Sequence, residues 1–155
     1  MISKQKIVFL LGSATLLLLL VPVSKIAFEE VIEQQDYQIE QFIQNLSEEN
    51  KYKYLLYREV QKQNLTFRGF LSLKRIIQAE SNWRQFDKNG DVLRGQKNFQ
   101  DIGLCQINEK YHIQEAEALK TNIYTPEGNI AYCVALFAKE SGKPWVWSIK
   151  SHGIK

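Results

Sequence analysis

Thr66-Phe67-Arg68-Gly69-Phe70-Leu71-Ser72-Leu73-Lys74-Arg75-Ile76-Ile77-Gln78-Ala79-Glu80-Ser81-Asn82 places Phe70, Leu73 and Ile77 at i, i+3 and i+7, with Glu80 three residues further on. Residues at this spacing share one side of an α-helix. The stretch therefore predicts a helix from about Thr66 to Asn82 whose last turn carries a carboxylate near its apolar face. An acid placed there points to the edge of a core rather than into water. Burial against apolar neighbours raises a carboxyl pKa, and a carboxyl that keeps its proton near neutrality can donate it to a leaving oxygen. Glycosidic bond cleavage requires that chemistry. The plainer reading is a structural acid that caps its helix or pairs nearby, with Arg84 within reach in sequence.

On the N-terminal side, Asn64-Leu65-Thr66 breaks an earlier helix marked by Tyr52, Leu55, Leu56 and Val60. Ser47-Glu48-Glu49 has the composition of a helix start, a capping hydroxyl followed by acids in the first turn. Phe28 to Leu46 is rich in Glu and Gln, and its apolar residues Ile32, Ile39, Phe42, Ile43 and Leu46 recur at helical spacing. It reads as an amphipathic stalk, either a spacer packed on its own domain or a segment that docks a partner.

Beyond Asn82 the pattern changes. Phe86-Asp87-Lys88-Asn89-Gly90-Asp91-Val92 contains Asn-Gly, a hairpin signal. Asp87, Asn89 and Asp91 imitate the start of a calcium loop, but the glycine falls at the fourth position, and Asn98 stands at the twelfth. A further helix is expected over Tyr111 to Leu119. Thr125-Pro126-Glu127 opens the last one, with Pro at its first position. Ile130, Cys133, Val134 and Phe137 form its inward stripe, and Gly142 and Pro144 stop it. The expected fold is mainly α, a helical domain with one small β-hairpin excursion.

The formal charge of +3 comes from the N-terminus: residues 1–27 hold Lys4, Lys6 and Lys25 and no acid, and removing those lysines leaves 17 basic residues against 17 acidic. A balanced domain argues against a general nucleic-acid binder, which needs a basic face. Ile7 to Val23 is uncharged and contains five consecutive leucines, Leu16 to Leu20. It lies at the lower limit of length for a spanning helix, and the preceding lysines favour a cytoplasmic N-terminus. Two readings stand, an uncleaved membrane anchor or a cleaved signal peptide. Both export the remaining chain, to the periplasmic or extracellular side, where disulfides are permitted. The expected organisation is thus an anchor or signal over 1–27, a stalk over 28–50 and a domain over 51–155.

Three short motifs recur in order. Ile77-Gln78-Ala79-Glu80-Ser81-Asn82 is followed by Asp101-Ile102-Gly103-Leu104-Cys105-Gln106-Ile107-Asn108, and then by Tyr124-Thr125-Pro126-Glu127-Gly128-Asn129-Ile130 opening a helix. The set resembles the lytic transglycosylase and goose-type lysozyme superfamily, most closely the small transglycosylases that accompany secretion systems. The resemblance implies an α+β lysozyme-like fold and cleavage of the β-1,4 bond between N-acetylmuramic acid and N-acetylglucosamine in peptidoglycan. It implies Glu80 as catalytic acid/base and Ser81 as its orienting partner. Gly103, Leu104, Gln106, Ile107 and Asn108 would line the floor of the glycan cleft. Asp101 and Asp87 are the candidates for a second acid.

The chain departs from the family pattern at two places. Cys105 stands where the family has Met, and the family's late Tyr-bearing segment is replaced by Pro144-Trp145-Val146-Trp147 and the residues from there to Lys155. Tyr111 or Tyr132 is a candidate for the missing Tyr, and Trp145 or Trp147 is either a sugar-stacking wall or core. Cys105 and Cys133 pair as a disulfide or remain buried thiols. His112 and His152 lack metal-ligand spacing, so neither a metal nor a cofactor is expected. Glu140-Ser141-Gly142 repeats the Glu-Ser pair, but no Gly-Leu-x-Gln-Ile segment comes after it. The expected partners are peptidoglycan strands, the membrane through the N-terminal helix, and a secretion or pilus machine. A glycan-binding module without activity is the competing reading.

Overall fold

The computed structural model describes Gln34, residues 37–140 and Trp145. The chain divides into two units, one ending at Asn45 and the other running from Leu46. In the first, residues 37–44 are helical and expose Tyr37, Ile39 and Phe42. The predicted anchor Ile7–Val23 and the first part of the stalk lie outside the described residues. Among the described residues, no helix is long and apolar enough to cross a membrane.

The second unit is mainly helical with a small two-stranded sheet. Helix α1 spans Glu48–Lys62 and α2 spans Phe67–Ser81. Strands β1 (Asp101–Ile102) and β2 (Ile107–Asn108) pair antiparallel, with Asp101 opposite Asn108 and Ile102 opposite Ile107. Helix α3 spans Glu109–Ala118 and α4 spans Pro126–Glu140. The division at Asn45 assigns Leu46–Asn50 to this unit rather than to the stalk, because α1 already begins at Glu48.

Local chemistry accounts for the helix ends. The Ser47 hydroxyl accepts the Asn50 N–H, and the Thr66 hydroxyl accepts the Gly69 N–H. Each satisfies one of the backbone donors that a helix start leaves unpaired. Thr125 does the same for the Gly128 N–H, with Pro126 filling the first helical position. Helix α3 starts at Glu109, two residues before the expected Tyr111, because β2 runs into it without a loop.

Helix α1 packs on both α2 and α4. The core gathers Leu56 and Val60 from α1, Leu73, Ile76 and Ile77 from α2, and Ile130, Cys133 and Val134 from α4, together with Ile102, Leu104 and Ile107 from the sheet region. Phe137, expected on the inward stripe, is only half-buried. The Asn-Gly turn forms as expected. Asp87 accepts the backbone N–H groups of Asn89 and Asp91 through Oδ1, and Gly90 takes a φ of 87°. The Asp87 carboxylate is thus committed to turn chemistry.

Candidate active site

Helix α2 buries Leu73, Ile76, Ile77 and Ser81. Glu80 comes three positions after Ile77 and four after Ile76, so in projection it falls between them, inside the buried arc. Glu80 itself is half-buried. The helix ends in two consecutive left-handed residues, Asn82 at φ 54° and Trp83 at φ 60°. A bulky residue there is an outlier costing about 1–3 kcal/mol. The Trp83 side chain offsets this by burial, and the Lys53 ammonium lies 5.6 Å from its ring centroid. The chain therefore turns sharply within three residues of the acid.

That turn delivers Gln85 into the interior. Its Oε1 accepts the Leu104 N–H at 3.1 Å, and its Nε2 donates to the Tyr124 carbonyl at 3.0 Å. A second buried amide, Asn129 on α4, works beside it. Asn129 Oδ1 accepts the Cys105 N–H at 2.9 Å, and Nδ2 donates to the carbonyls of Ile102 and Ile123. Two buried side chains thus join the segment after Glu80, the Gly103–Cys105 loop and the start of α4. Gly103 makes their approach possible. It has a φ of 69°, and a Cβ there would meet Asn129 Nδ2 at 2.5 Å and Gln85 Oε1 at 2.6 Å.

Cys105 is tied down in two further ways. Its carbonyl accepts the Trp145 Nε1–H at 2.9 Å, and its sulfur is bonded to Cys133. Asn129 and Cys133 are one helical turn apart, so both ties from α4 come from one face of that helix. Trp145 is 5% exposed and belongs to the core rather than to a sugar-facing wall. Trp147 and His152 lie outside the described residues.

The residues expected to line a single cleft floor divide into two sets. Gly103, Leu104 and Ile107 are buried, while Gln106 and Asn108 are half-buried. Alternation along β2 explains the difference between Ile107 and Asn108. Asp101, opposite Asn108, shares its face, and its Oδ1 accepts from both Asn108 Nδ2 and Asn98 Nδ2. Gln106 donates back to the Gly103 carbonyl at 2.9 Å. Ser81, expected to orient the acid, is buried, and its hydroxyl donates to the Ile77 carbonyl one turn back. Tyr132 is likewise in the core. Its hydroxyl donates to Glu115 and lies 2.9 Å from His112 Nδ1, and burial, then the bond to Glu115, pushes the phenol well above its ordinary range. Tyr111 is 74% exposed.

No protein-family model, curated protein or solved structure matches the chain.

A second polar cluster was not legible in the sequence. Arg94 forks onto Glu109, with Nη1 to Oε1 at 2.6 Å and Nη2 to Oε2 at 3.3 Å, and the Tyr124 hydroxyl donates to the same carboxylate at 2.8 Å. The Arg94 hydrogen bond first, and Tyr124 after it, hold the Glu109 carboxyl below its ordinary value of 4.5. A carboxyl depressed on folding contributes stability at pH above its unfolded value and loses it as pH falls through the folded one. Glu109→Gln should therefore cost about 1 kcal/mol at neutral pH. The difference from wild type should shrink below pH 4.5. Urea titrations from pH 7 to pH 3 check this, and a deficit that does not shrink at all over that range would contradict it. Among the described residues, no three His, Cys, Asp or Glu side chains gather as a metal-binding set.

Proposed function

We propose that this chain cleaves the glycan of peptidoglycan as a lysozyme-like transglycosylase or muramidase, with Glu80 as general acid/base. The observation that supports it most is the coupling of Glu80's helix end to the Gly103–Cys105 loop. Glu80 sits half-buried within the apolar arc of α2, and Gln85, five residues on, bonds the Leu104 N–H. Asn129 closes the same loop from α4. The second and third motifs are thus parts of one hydrogen-bonded unit, which Gln85, three residues beyond the first motif, joins to the end of Glu80's helix.

In this reading Glu80 donates a proton to the oxygen leaving the anomeric carbon, and then accepts one from the attacking group. That group is the 6-hydroxyl of the same sugar in a transglycosylase and water in a muramidase. Gln106, Asn108 and Asp101, half-buried around the loop, would offer hydrogen bonds to the sugar. Gly103, Leu104 and Ile107 support the loop from beneath. No cofactor takes part. The segment Ile7–Val23 would hold the domain at the outer side of the membrane, within reach of glycan strands, and the stalk would be its contact with any secretion or pilus assembly.

The test is full-length chain against Glu80→Gln on purified peptidoglycan, with products read by mass spectrometry. Glu80→Gln should lower muropeptide release about a hundredfold or more. The product mass separates anhydro ends from hydrolysed ones. Equal release by both chains would remove Glu80 from the mechanism. Glycan binding without release by wild type would leave only a binding module.

A further inference from the structure

One hollow of the domain takes no part in that scheme. It has a volume of about 490 Å³ and is lined by the Asp91–Arg94 segment together with Asp87, Phe99 and Tyr124. Asp101, Asn108 and Gln106 are not among the residues that line it. Arg94 bridges to Ile102, whose side chain enters the core. Gly95, the next residue, turns the other way: a Cβ there would sit 2.9 Å from Gln106 Oε1 and 3.2 Å from the Asp101 Cβ.

Phe99 is 70% exposed. Arg94 nevertheless holds both its ring and its backbone. Arg94 lies 4.7 Å from its ring centroid and donates to its backbone carbonyl at 2.9 Å. The fork to Glu109 fixes that guanidinium in turn. The ring is therefore an ordered shelf before any ligand arrives, which lowers the ordering cost of binding. Across from it stands the Asp87–Asp91 turn, with Asp91 exposed.

The lining selects the ligand class. The charge of Arg94 is already matched by Glu109, and the rim adds two carboxylates, so an anion finds no cation to bind. Aromatic faces at Phe99 and Tyr124 suit the C–H face of a pyranose ring. The exposed carboxylate of Asp91, on the turn that Asp87 ties together, accepts hydrogen bonds from its hydroxyl and acetamido groups. A small concave site with apolar walls and a few polar groups is the usual form of such a pocket. We propose that this hollow is a second saccharide-binding site, which grips a glycan strand away from the Glu80 helix end; it rests on the reading of the chain as a glycan-cleaving enzyme.

The test uses full-length chain carrying Glu80→Gln, with Phe99→Ala or Asp91→Asn added singly. The probe is chitotetraose, a soluble oligomer of N-acetylglucosamine, bearing a photoreactive diazirine. Both altered side chains are exposed, so the melting temperature should not move, and it is measured alongside. Crosslinks are expected within residues 87–99 and should fall at least tenfold in each added variant. No crosslink in that segment, or unchanged crosslinking in both variants, would overturn the proposal. So would loss of crosslinking to an equal concentration of lysine amide, which would assign the hollow to an ammonium group. Failure of the wild-type chain to cut peptidoglycan, with these crosslinks still present, counts against Glu80 alone and supports the hollow as a sugar site.

Discussion

Asn129→Leu is expected to destabilise the domain by about 3–5 kcal/mol, since each buried polar group left unpaired costs about 1–3 kcal/mol. The replacement is close in volume, so the loss isolates hydrogen bonding. It leaves three backbone groups without their partner: the Cys105 N–H and the carbonyls of Ile102 and Ile123. Asn129 is completely buried, so water does not take its place without opening the core. A cost of this size is a large part of the stability of an ordinary domain, about 5–15 kcal/mol. Gln85→Leu, which strands two groups, should cost less. The double variant should cost less than the sum, because both side chains hold one loop. Urea denaturation followed by circular dichroism measures all three. A loss under about 1 kcal/mol for Asn129→Leu would mean that the loop re-satisfies itself without the amide.

Opening the Cys105–Cys133 disulfide should cost a comparable amount. The two cysteines are 28 residues apart. A crosslink closing a loop of that length stabilises by about 3–4 kcal/mol in the chain-entropy account. Both cysteines are fully buried, so the reduced thiols would still pack as small apolar groups. The measured loss should therefore come mainly from the unfolded state. Denaturation with and without reductant, and of the Cys105→Ala/Cys133→Ala chain, gives the magnitude. A midpoint that reductant does not move, with two thiols open to alkylation in the unfolded oxidised chain, would show that the bond is absent.

What was legible in the sequence was local. Ser47, Thr66 and Thr125 with Pro126 were readable as helix starts because a cap acts over three residues. The apolar face ending at Glu80 was readable because helical periodicity needs no distant partner. Gln85 and Asn129 were not readable as clamps, since their partners lie 19 to 39 and 6 to 27 residues away. A signal did exist for Asn129, as the lone amide in the apolar run Ile130 to Phe137 and its N-terminal edge. The Arg94–Glu109 fork spans 15 residues and joins a loop to a helix start, with nothing in the pattern to mark it. Treating Gly103 to Asn108 as one surface also merged two environments, because a strand sends successive side chains to opposite sides. Trp145 resolved to core for a similar reason: its tie to the Cys105 carbonyl crosses 40 residues.

The distances spanned by those clamps carry a consequence for the order of events as the chain is made. A polypeptide that emerges N-terminus first presents Glu80 and the Gly103–Cys105 loop well before Asn129 and Cys133 arrive. Until then the loop has Gln85 but neither its second amide nor its covalent tie. A chain stalled or cut short ahead of Asn129 therefore carries the acid without an assembled surface around the loop. Completion of the last helix is therefore the step that closes the loop, and the surface beside the end of Glu80's helix is assembled only after almost the whole described domain has been made.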